Sequence, residues 1–272
     1  MRLVTYSDVT GPRVGLLTRD GVAATDATDM LAVVRSGKLP HTTSAPKPVA
    51  DLRLLAPLPR PGKLLFCGVN YASHKQENPS ATLPSEPFFF AKLPSAVIGP
   101  DEPIRIPSPQ SQVDYEVELA VVIGKGGKGL RREGAAEHIF GYTVVNDVSG
   151  RDVQFKDNQI TLGKGFDTFA PMGPCIVTAD EIGDPQALRV NAYVNGEQRQ
   201  AEATANMLFP VDVVLEFVSR YITLEPGDIV TTGTPAGVGL FRSPPTFLAP
   251  GDVVEVEVDA IGRLRNPVVA GW

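Results

Sequence analysis

Residues 113–125, VDYEVELAVVIGK, decide the fold. In a β-strand, successive side chains point to opposite faces of the sheet. One face of this stretch then carries Tyr115, Val117, Leu119, Val121 and Ile123, and the other carries Glu116, Glu118, Ala120 and Val122. Both faces are mostly apolar after Leu119, which predicts a central strand that is buried on both sides.

Glu116 and Glu118 share one face of this predicted strand, ~7 Å apart along it. Two ionised carboxylates inside a core destabilise it strongly unless a cation compensates their charge. A divalent cation can do so, and ligands that are all oxygen select a hard ion such as Mg²⁺, Mn²⁺ or Ca²⁺. The alternative at this point is a strand end whose glutamates face water or pair with Lys or Arg.

A second acidic cluster follows in residues 140–154, FGYTVVNDVSGRDVQ. The run is apolar up to Asn146 and Asp147, so a strand that ends there would bring a third carboxylate beside the two glutamates. Ser149 is expected to cap a short helix that presents Gln154. The alternative is a turn whose aspartates serve only as caps.

A histidine and a glutamate lie three residues apart in GVNYASHKQE, residues 68–77. In a helix, His74 and Glu77 would share one face, and a carboxylate beside an imidazole fixes its tautomer and raises its basicity. That pair could act as a general base. The alternative is an exposed polar helix.

Two further segments are typical of substrate binding. LGKGFDTFAPMGP, residues 162–174, places Lys164 between glycines, where little backbone bulk hinders a small anion. DIVTTGTPAGVG, residues 228–239, ends a predicted strand in Gly233 and Thr234, and such a loop can offer N–H and hydroxyl donors.

The composition excludes several classes of protein. The 272 residues include 31 acidic and 25 basic ones, a formal net charge of −6, and no stripe of Lys and Arg, which argues against nucleic-acid binding. No apolar run approaches the ~18 residues that span a bilayer. Cys67 and Cys175 lie in apolar stretches, and the N-terminal segment lacks the pattern of a secretory signal. These features predict buried thiols in a reducing cytoplasm.

Turn residues divide the chain. With 26 glycines and 25 prolines, a β-rich α+β architecture is favoured. Residues 2–24 have the pattern of a β-meander, a short helix follows from about Asp29 to Arg35, and the polar, proline-containing residues 38–61 resemble a linker. We therefore expect a small N-terminal β-rich domain over residues 1–60 and a larger domain over 61–272, in which Asn195-Gly196 forms a hairpin and residues 212–222 a helix.

Taken together and in this order, the motifs from about Lys63 onward resemble the fumarylacetoacetate hydrolase family. The resemblance rests on the segments quoted above together with PFFFAKLPSAVIGP (residues 87–100) and the closing PGDVVEVEVDAIGRLRNPV (residues 250–268). It is strongest to the bacterial branch of acylpyruvate and fumarylpyruvate hydrolases, oxaloacetate decarboxylases and the isomerases of aromatic compound catabolism. It implies a roll of mixed β-sheets in a sandwich, with a small N-terminal domain, and a homodimer.

The resemblance also implies roles for individual residues. Glu116, Glu118 and Asp147 match the family's Mg²⁺ ligands, with Mn²⁺ or Ca²⁺ as alternative ions. His74 and Glu77 match the general-base pair, whose loop orders as a lid, and Lys164 matches the lysine that stabilises developing negative charge. Gln154, Thr234, Gly233 and Lys92 match segments of the substrate pocket. The region before His74 lacks the further aspartate ligand of the enzyme that names the family, so fumarylacetoacetate is not the expected substrate.

The resulting expectation is a Mg²⁺-dependent hydrolase that cleaves a C–C bond of a small 2,4-dioxo acid through a pyruvate enolate. The alternatives are oxaloacetate decarboxylation, isomerisation of 2-hydroxyhepta-2,4-diene-1,7-dioate, and a non-catalytic protein that binds oxalate or 2-oxo acids. Substrate specificity is expected to lie in residues 78–86 after Glu77 and in residues 241–247, with the N-terminal domain as a further candidate.

Overall fold

The computed structural model describes residues 1–77 and 82–271, apart from the side chains of His74 and Gln76. The strands up to the middle of the chain are β1 (Arg2–Asp8), β2 (Gly11–Thr18), β3 (Gly21–Ala24), β4 (Arg53–Leu55), β5 (Leu64–Gly68), β6 (Phe88–Lys92), β7 (Val97–Ile98), β8 (Ile104–Ile106) and β9 (Val113–Asp114). The remaining strands are β10 (Val117–Ile123), β11 (Ile139–Asn146), β12 (Ser149–Gly150), β13 (Ala170–Thr178), β14 (Arg189–Val194), β15 (Glu197–Ala203), β16 (Ile229–Thr231), β17 (Val253–Val258) and β18 (Gly262–Ala270). The α-helices are α1 (Met30–Ser36), α2 (His74–Glu77), α3 (Arg151–Gln154), α4 (Ile160–Lys164), α5 (Ala179–Ile182) and α6 (Val211–Tyr221). Within these ranges no helix has the length and apolar character that a membrane span requires.

Two mixed sheets form the framework. The first has the strand order β3-β2-β1-β13-β11-β10-β16-β5-β6, and β4 and β7 pair with β1 and β13 beside this path. The second has the order β15-β14-β17-β18-β8. The pairs β16–β5, β13–β7 and β18–β8 are parallel and the other pairs of these sheets are antiparallel. The predicted β-rich architecture of mixed sheets with few helices is confirmed.

Strand β10 lies at the centre of the first sheet, between β11 and β16, and all seven of its residues are buried. One face packs into a core shared with the second sheet and α6, which includes Leu119, Val121, Val190, Leu215 and Val256. The opposite face packs into a core shared with the N-terminal elements, which includes Ala120, Val122, Leu3 and Val33. The prediction of a strand buried on both faces is therefore confirmed.

The N-terminal elements extend the same sheet. Strand β1 pairs with β13 through Leu3 opposite Ile176, and its later residues pair with β4 through Thr5 opposite Leu55. The first sixty residues thus share a sheet and a core with the rest of the chain, because β1 supplies both hydrogen bonds and apolar side chains to it. The division at residue 60 stays a prediction.

Local signals fix several boundaries. The Asp29 side chain accepts from the Leu31 N–H at 2.9 Å and caps α1, and Gly37 ends that helix with φ 63°. Asn195 and Gly196 both have positive φ, 53° and 80°, in the tight turn between β14 and β15. Helix α6 begins one residue before the predicted start. These three predictions are confirmed.

Candidate metal and 2-oxo acid site

The first functional side chains lie where β10 begins and β11 ends. The strands pair antiparallel with Val117 opposite Asn146, so that Glu116 and Asp147 are neighbours just beyond the ladder. The Asn146 side-chain oxygen accepts from the Glu116 N–H at 3.0 Å, and the Asp147 N–H donates to the Glu116 carbonyl at 2.8 Å. These bonds hold two carboxylates together although neither residue belongs to the paired segment.

Glu118 completes a group of three carboxylates with Glu116 and Asp147. One oxygen of each lies within 4.8 Å of the other two, and all three residues are buried. The Glu118 Oε2 atom accepts from the Gly233 N–H at 3.0 Å, because β16 pairs with β10 and delivers Gly233 to this point. The structure thus brings together the three residues that the sequence predicted as metal ligands.

Three buried cations neutralise part of this acidic group. The Lys164 ammonium bridges Glu116 and Asp147 at 2.8 and 2.6 Å. Lys92 donates to the other Asp147 oxygen at 2.5 Å, and Arg151 donates to Glu116 at 2.6 Å. Among the ion pairs of residues 1–77 and 82–271, none includes Glu118.

The pKa shifts follow from these contacts. Burial and the nearby charges of Asp147 and Glu116 raise the pKa of Glu118 well above its ordinary value. Burial would also raise the pKa of Glu116, but the attraction of Lys164 and Arg151 outweighs it and lowers that pKa. Burial lowers the pKa of Lys92 to about 8 despite its contact with Asp147. Among the described residues, Glu118 is therefore the member of the three carboxyls that has no ion-pair partner, although the charge of Lys164 attracts it from a distance.

A cavity of about 230 Å³ opens beside these groups. Its polar wall contains Glu116, Glu118, Arg151, Gln154, Lys164 and Thr234, and its apolar wall contains Phe88, Phe90, Phe155, Leu240 and Phe241. Gln154 and Thr234 thus line the cavity. Their contact with substrate stays a prediction. Phe241 belongs to the predicted specificity segment 241–247, whereas residues 78–81 of the other such segment lie outside the described residues.

Lys92 occupies a different place from these wall residues. Its side chain is fully buried behind Asp147, where its ammonium also donates to the carbonyls of Val148 and Phe169. It therefore supports the Asp147 carboxylate from behind, and its predicted contact with substrate stays a prediction.

The residues of the predicted general-base pair are the first and last residues of the short helix α2, in the segment between β5 and β6. The Glu77 Oε1 atom accepts from the Gly237 N–H at 2.5 Å, which ties this helix to the loop that follows β16. The side chain of His74 lies outside the described part of the chain. The role of this pair as a base stays a prediction.

Asp114 is a site residue that the sequence did not identify. It is fully buried and accepts from the Arg151 guanidinium at 2.9 and 3.0 Å. It also accepts from the backbone N–H groups of Tyr115, Gly239 and Leu240. Asp114 thus fixes Arg151 against Glu116 and fixes the loop that carries the cavity residue Leu240.

The residues present fit a divalent cation. The three clustered ligand groups are carboxylates, the donors that hard ions such as Mg²⁺ and Mn²⁺ select. A bound ion would also compensate the charge of Glu118, whose pKa is raised by burial and by the nearby carboxylates. A buried acidic cluster with a lysine between two of its members, at the wall of a cavity, defines a metal-dependent enzyme site.

Comparison with known proteins places this site in a family. Residues 63–269 match the family model described as the fumarylacetoacetate (FAA) hydrolase C-terminal domain. The chain therefore belongs to the fumarylacetoacetate hydrolase family and is a metal-dependent enzyme of that family.

Its relatives include proteins with several named activities. It is 43% identical to the mitochondrial oxaloacetate tautomerase of Xenopus laevis, over 99% of this chain and 90% of that one. The structure of a fumarylacetoacetate hydrolase from Exiguobacterium antarcticum is similar with a TM-score of 0.91 and 39% identity, over 99% of both chains. A maleylpyruvate hydrolase from Sphingobium sp. SYK-6, solved with manganese(II) and pyruvate, is similar with a TM-score of 0.82 and 30% identity, over 100% of both chains.

Proposed function

We propose that this enzyme binds a 2-oxo acid at a divalent cation held by Glu116, Glu118 and Asp147, and converts it through its enol form. The reaction proposed first is the keto–enol tautomerisation of oxaloacetate. The observation that carries the proposal is the buried group of three carboxylates, two of which, Glu116 and Glu118, line a cavity together with Lys164. The similarity to an oxaloacetate tautomerase over nearly the whole chain supports the choice of reaction.

The charge of the buried cluster supports a 2-oxo acid as ligand. Among the described residues, four carboxylates (Asp114, Glu116, Glu118 and Asp147) face three cations (Lys92, Arg151 and Lys164), which leaves one negative charge in excess. The raised pKa of Glu118 is consistent with that excess, because a proton on this carboxyl neutralises the cluster. With a divalent cation in place and Glu118 ionised, the cluster has one positive charge in excess, which matches one carboxylate of the ligand.

The protein's own groups divide the remaining work. A bound divalent cation would supply positive charge for the ligand's carboxylate and 2-oxo oxygens and for the enolate. Lys164 uses two of its three N–H groups on Glu116 and Asp147, which leaves the third for a ligand oxygen. His74, supported by Glu77, accepts the proton from C3 and returns it to oxygen, as the spacing of the pair predicts. The apolar side chains of Phe88 and Phe90 make part of the cavity wall nonpolar, which strengthens these electrostatic contacts.

The test is a turnover assay with oxaloacetate and two metals, which is then extended to other substrates. Oxaloacetate enol is added to metal-free enzyme and to enzyme with Mg²⁺ or Mn²⁺, and the loss of its ultraviolet absorbance is followed against the uncatalysed rate. The proposal expects metal-dependent ketonisation that Glu118→Gln lowers by at least ~100-fold. Metal-independent ketonisation, or an unchanged rate in that variant, would refute the role of the three carboxylates.

Hydrolysis of a 2,4-dioxo acid is the second candidate. The pair of His74 and Glu77 provides a base that could activate water, and a solved relative is named a maleylpyruvate hydrolase. Acetylpyruvate and fumarylpyruvate in the same assay, with pyruvate as the product measured, decide between the two reactions, and carbon dioxide release from oxaloacetate measures decarboxylation. The isomerisation of 2-hydroxyhepta-2,4-diene-1,7-dioate is a further outcome to measure. Binding of oxalate without any turnover would favour the non-catalytic alternative.

We also propose a homodimer. Four large apolar side chains lie around the cavity mouth and β6, the last strand of the main sheet: Phe88, Leu93, Phe155 and Leu162, which are 47–59% exposed. A second copy that covers this patch would bury them. Sedimentation of the wild type and of Leu162→Asp tests this, since a dimer that uses the patch should dissociate in the variant. Cytoplasmic location and a role in aromatic compound catabolism stay predictions.

A further inference from the structure

Gln200 is a buried polar residue that connects three parts of the site. It lies on β15 of the second sheet and is 1% exposed. Its Oε1 atom accepts from the Val117 N–H at 3.0 Å, next to Glu116 and Glu118. Its Nε2 atom donates to the Thr234 hydroxyl at 2.9 Å and to the Pro235 carbonyl at 2.8 Å. One amide thus joins the start of the metal-ligand strand to the loop on the cavity wall.

These contacts fix the orientation of the amide. The Val117 N–H can only donate, and the Pro235 carbonyl can only accept. A flipped amide would face a donor with its NH₂ group and a carbonyl with its oxygen, and both mismatches would be buried. Gln200 must therefore donate to Thr234, and the Thr234 oxygen must accept.

This arrangement determines what Thr234 can do. A hydroxyl has one hydrogen, and when its oxygen accepts from Gln200 that hydrogen is left for another group. Thr234 is 4% exposed and lies on the cavity wall together with Glu116, Glu118 and Lys164. Its hydroxyl can therefore serve as a neutral donor to an anionic oxygen in the cavity.

The loop that carries Thr234 is seated directly on β15. Gly237 has φ 110°, and a Cβ atom at this position would lie 2.1 Å from the Arg199 carbonyl oxygen. Such close approach requires glycine. The Gly237 N–H donates to Glu77 on the other side. The loop therefore cannot move away from Gln200 without losing contacts on both sides.

We propose that Gln200 is a positioning residue that directs the Thr234 hydroxyl proton into the cavity, where it binds a carboxylate oxygen of the ligand. The identity of the ligand as a 2-oxo acid rests on the proposed function. The chemistry of the donor requires only an anionic oxygen, so oxalate serves as a probe that needs no turnover.

The test is a double-mutant cycle between Gln200 and Thr234. Thr234→Val removes the hydroxyl at nearly constant size, and Thr234→Ser retains it. Gln200→Met removes the amide, and Gln198→Met on the exposed side of the same strand is the matched control. For each variant, kcat and KM for oxaloacetate and the Kd of oxalate with Mn²⁺ are measured, and circular dichroism verifies folding.

Thr234→Val should raise KM and the oxalate Kd by about 10–100-fold, the range for a hydrogen bond to a charged group. Thr234→Ser retains the donor and should show a much smaller rise than Thr234→Val, and Gln198→Met should stay within about threefold of wild type. Gln200→Met should raise both constants by about tenfold in the wild-type background and by less than about threefold in the Thr234→Val background. Equal effects of Gln200→Met in both backgrounds would overturn the proposal, since Gln200 would then only support the loop. An unchanged oxalate Kd in Thr234→Val would overturn it as well, even if Gln200→Met failed to fold.

The two proposals can fail separately. If the wild type turns over no 2-oxo acid but binds oxalate, the proposed function fails and the oxalate constants still decide the role of Gln200. If turnover is normal and the cycle shows no coupling, only the positioning role fails. If the wild type neither turns over these acids nor binds oxalate, both are refuted.

Discussion

Replacing Asp114 by asparagine should destabilise the protein substantially. The carboxylate is fully buried and faces only donors: the Arg151 guanidinium and the N–H groups of Tyr115, Gly239 and Leu240. Asparagine has a similar volume, but its NH₂ group would have to face a donor, and the charge of Arg151 would lose one of its two carboxylate partners. Breaking a buried ion pair in this way costs about 3–5 kcal/mol.

This loss converts into a measurable shift of the melting temperature. At about 2–4 °C per kcal/mol for chains of slightly smaller size, the Tm should fall by about 6–20 °C. Arg151 also holds the metal-ligand candidate Glu116 at 2.6 Å, so a displaced guanidinium should weaken Mn²⁺ binding by about 10–100-fold. Thermal unfolding by circular dichroism and titration calorimetry with Mn²⁺ measure the two effects.

A nearby aspartate provides the control. Asp152 is exposed and accepts from the Gln112 N–H at 3.0 Å, so Asp152→Asn should change stability by less than about 1 kcal/mol. The reasoning on Asp114 is refuted if Asp114→Asn melts within about 2 °C of Asp152→Asn and binds Mn²⁺ as tightly as wild type.

Four further predictions follow from the same cluster and from the buried thiols. Glu116→Gln should weaken Mg²⁺ or Mn²⁺ binding by at least ~10-fold in calorimetry, while the circular dichroism spectrum stays that of the wild type. Undiminished metal affinity in this variant would show that Glu116 is not a ligand. His74→Ala should suppress hydrolysis of acylpyruvates and spare decarboxylation of oxaloacetate, and an equal loss of both would contradict its role with water. Because the pKa of Glu118 is raised, a metal ion must displace a proton from this carboxyl, so metal affinity should increase as the pH rises toward that pKa. Calorimetry in buffers of different ionisation enthalpy should detect the released proton, and a metal affinity that does not depend on pH would contradict this prediction. Burial raises the pKa values of Cys67 and Cys175, so a disulfide reagent at pH 8 should label no thiol in the folded protein and both after denaturation; rapid labelling of the folded protein would count against this burial.

The metal-ligand candidates were predictable because their signals are local. Alternation along residues 113–125 places Glu116 and Glu118 on one face, and the apolar run that ends at Asp147 predicts a neighbouring strand end. In the structure the two strands pair with Val117 opposite Asn146, which is the arrangement that brings the three side chains together. The helix α1 and the turn at Asn195-Gly196 were predictable for the same reason, since caps and turns depend on adjacent residues.

The supporting residues were not predictable in this way, because their partners are distant in sequence. Asp114 pairs with Arg151, and Gln200 on the second sheet bonds Val117 on the first. A strand with two buried glutamates does require cations, but the sequence does not indicate which of 25 basic residues supply them. The pairing of distant strands in the folded protein determines which basic residues reach the glutamates.

The predicted cap at Ser149 is wrong for a related reason. Gly150 is the residue before helix α3, and the Ser149 hydroxyl donates to the Asp147 carbonyl at 2.9 Å instead. The backbone of Ser149 pairs with Asp114 in the short ladder of β9 and β12. This long-range pairing displaces the local capping interaction that the sequence favours.

The burial of β10 on both faces has a consequence for removal of the ion. Small zinc domains unfold when a chelator takes their metal, since the ion supplies the energy of folding. Here the strand that carries Glu118 is anchored in two apolar cores, and the Lys164 ammonium and the Arg151 guanidinium already hold Glu116, directly before that strand, in place. The coordination sphere is thus pre-organised, so that chelation should yield an inactive protein that stays folded and recovers fully when the ion is restored.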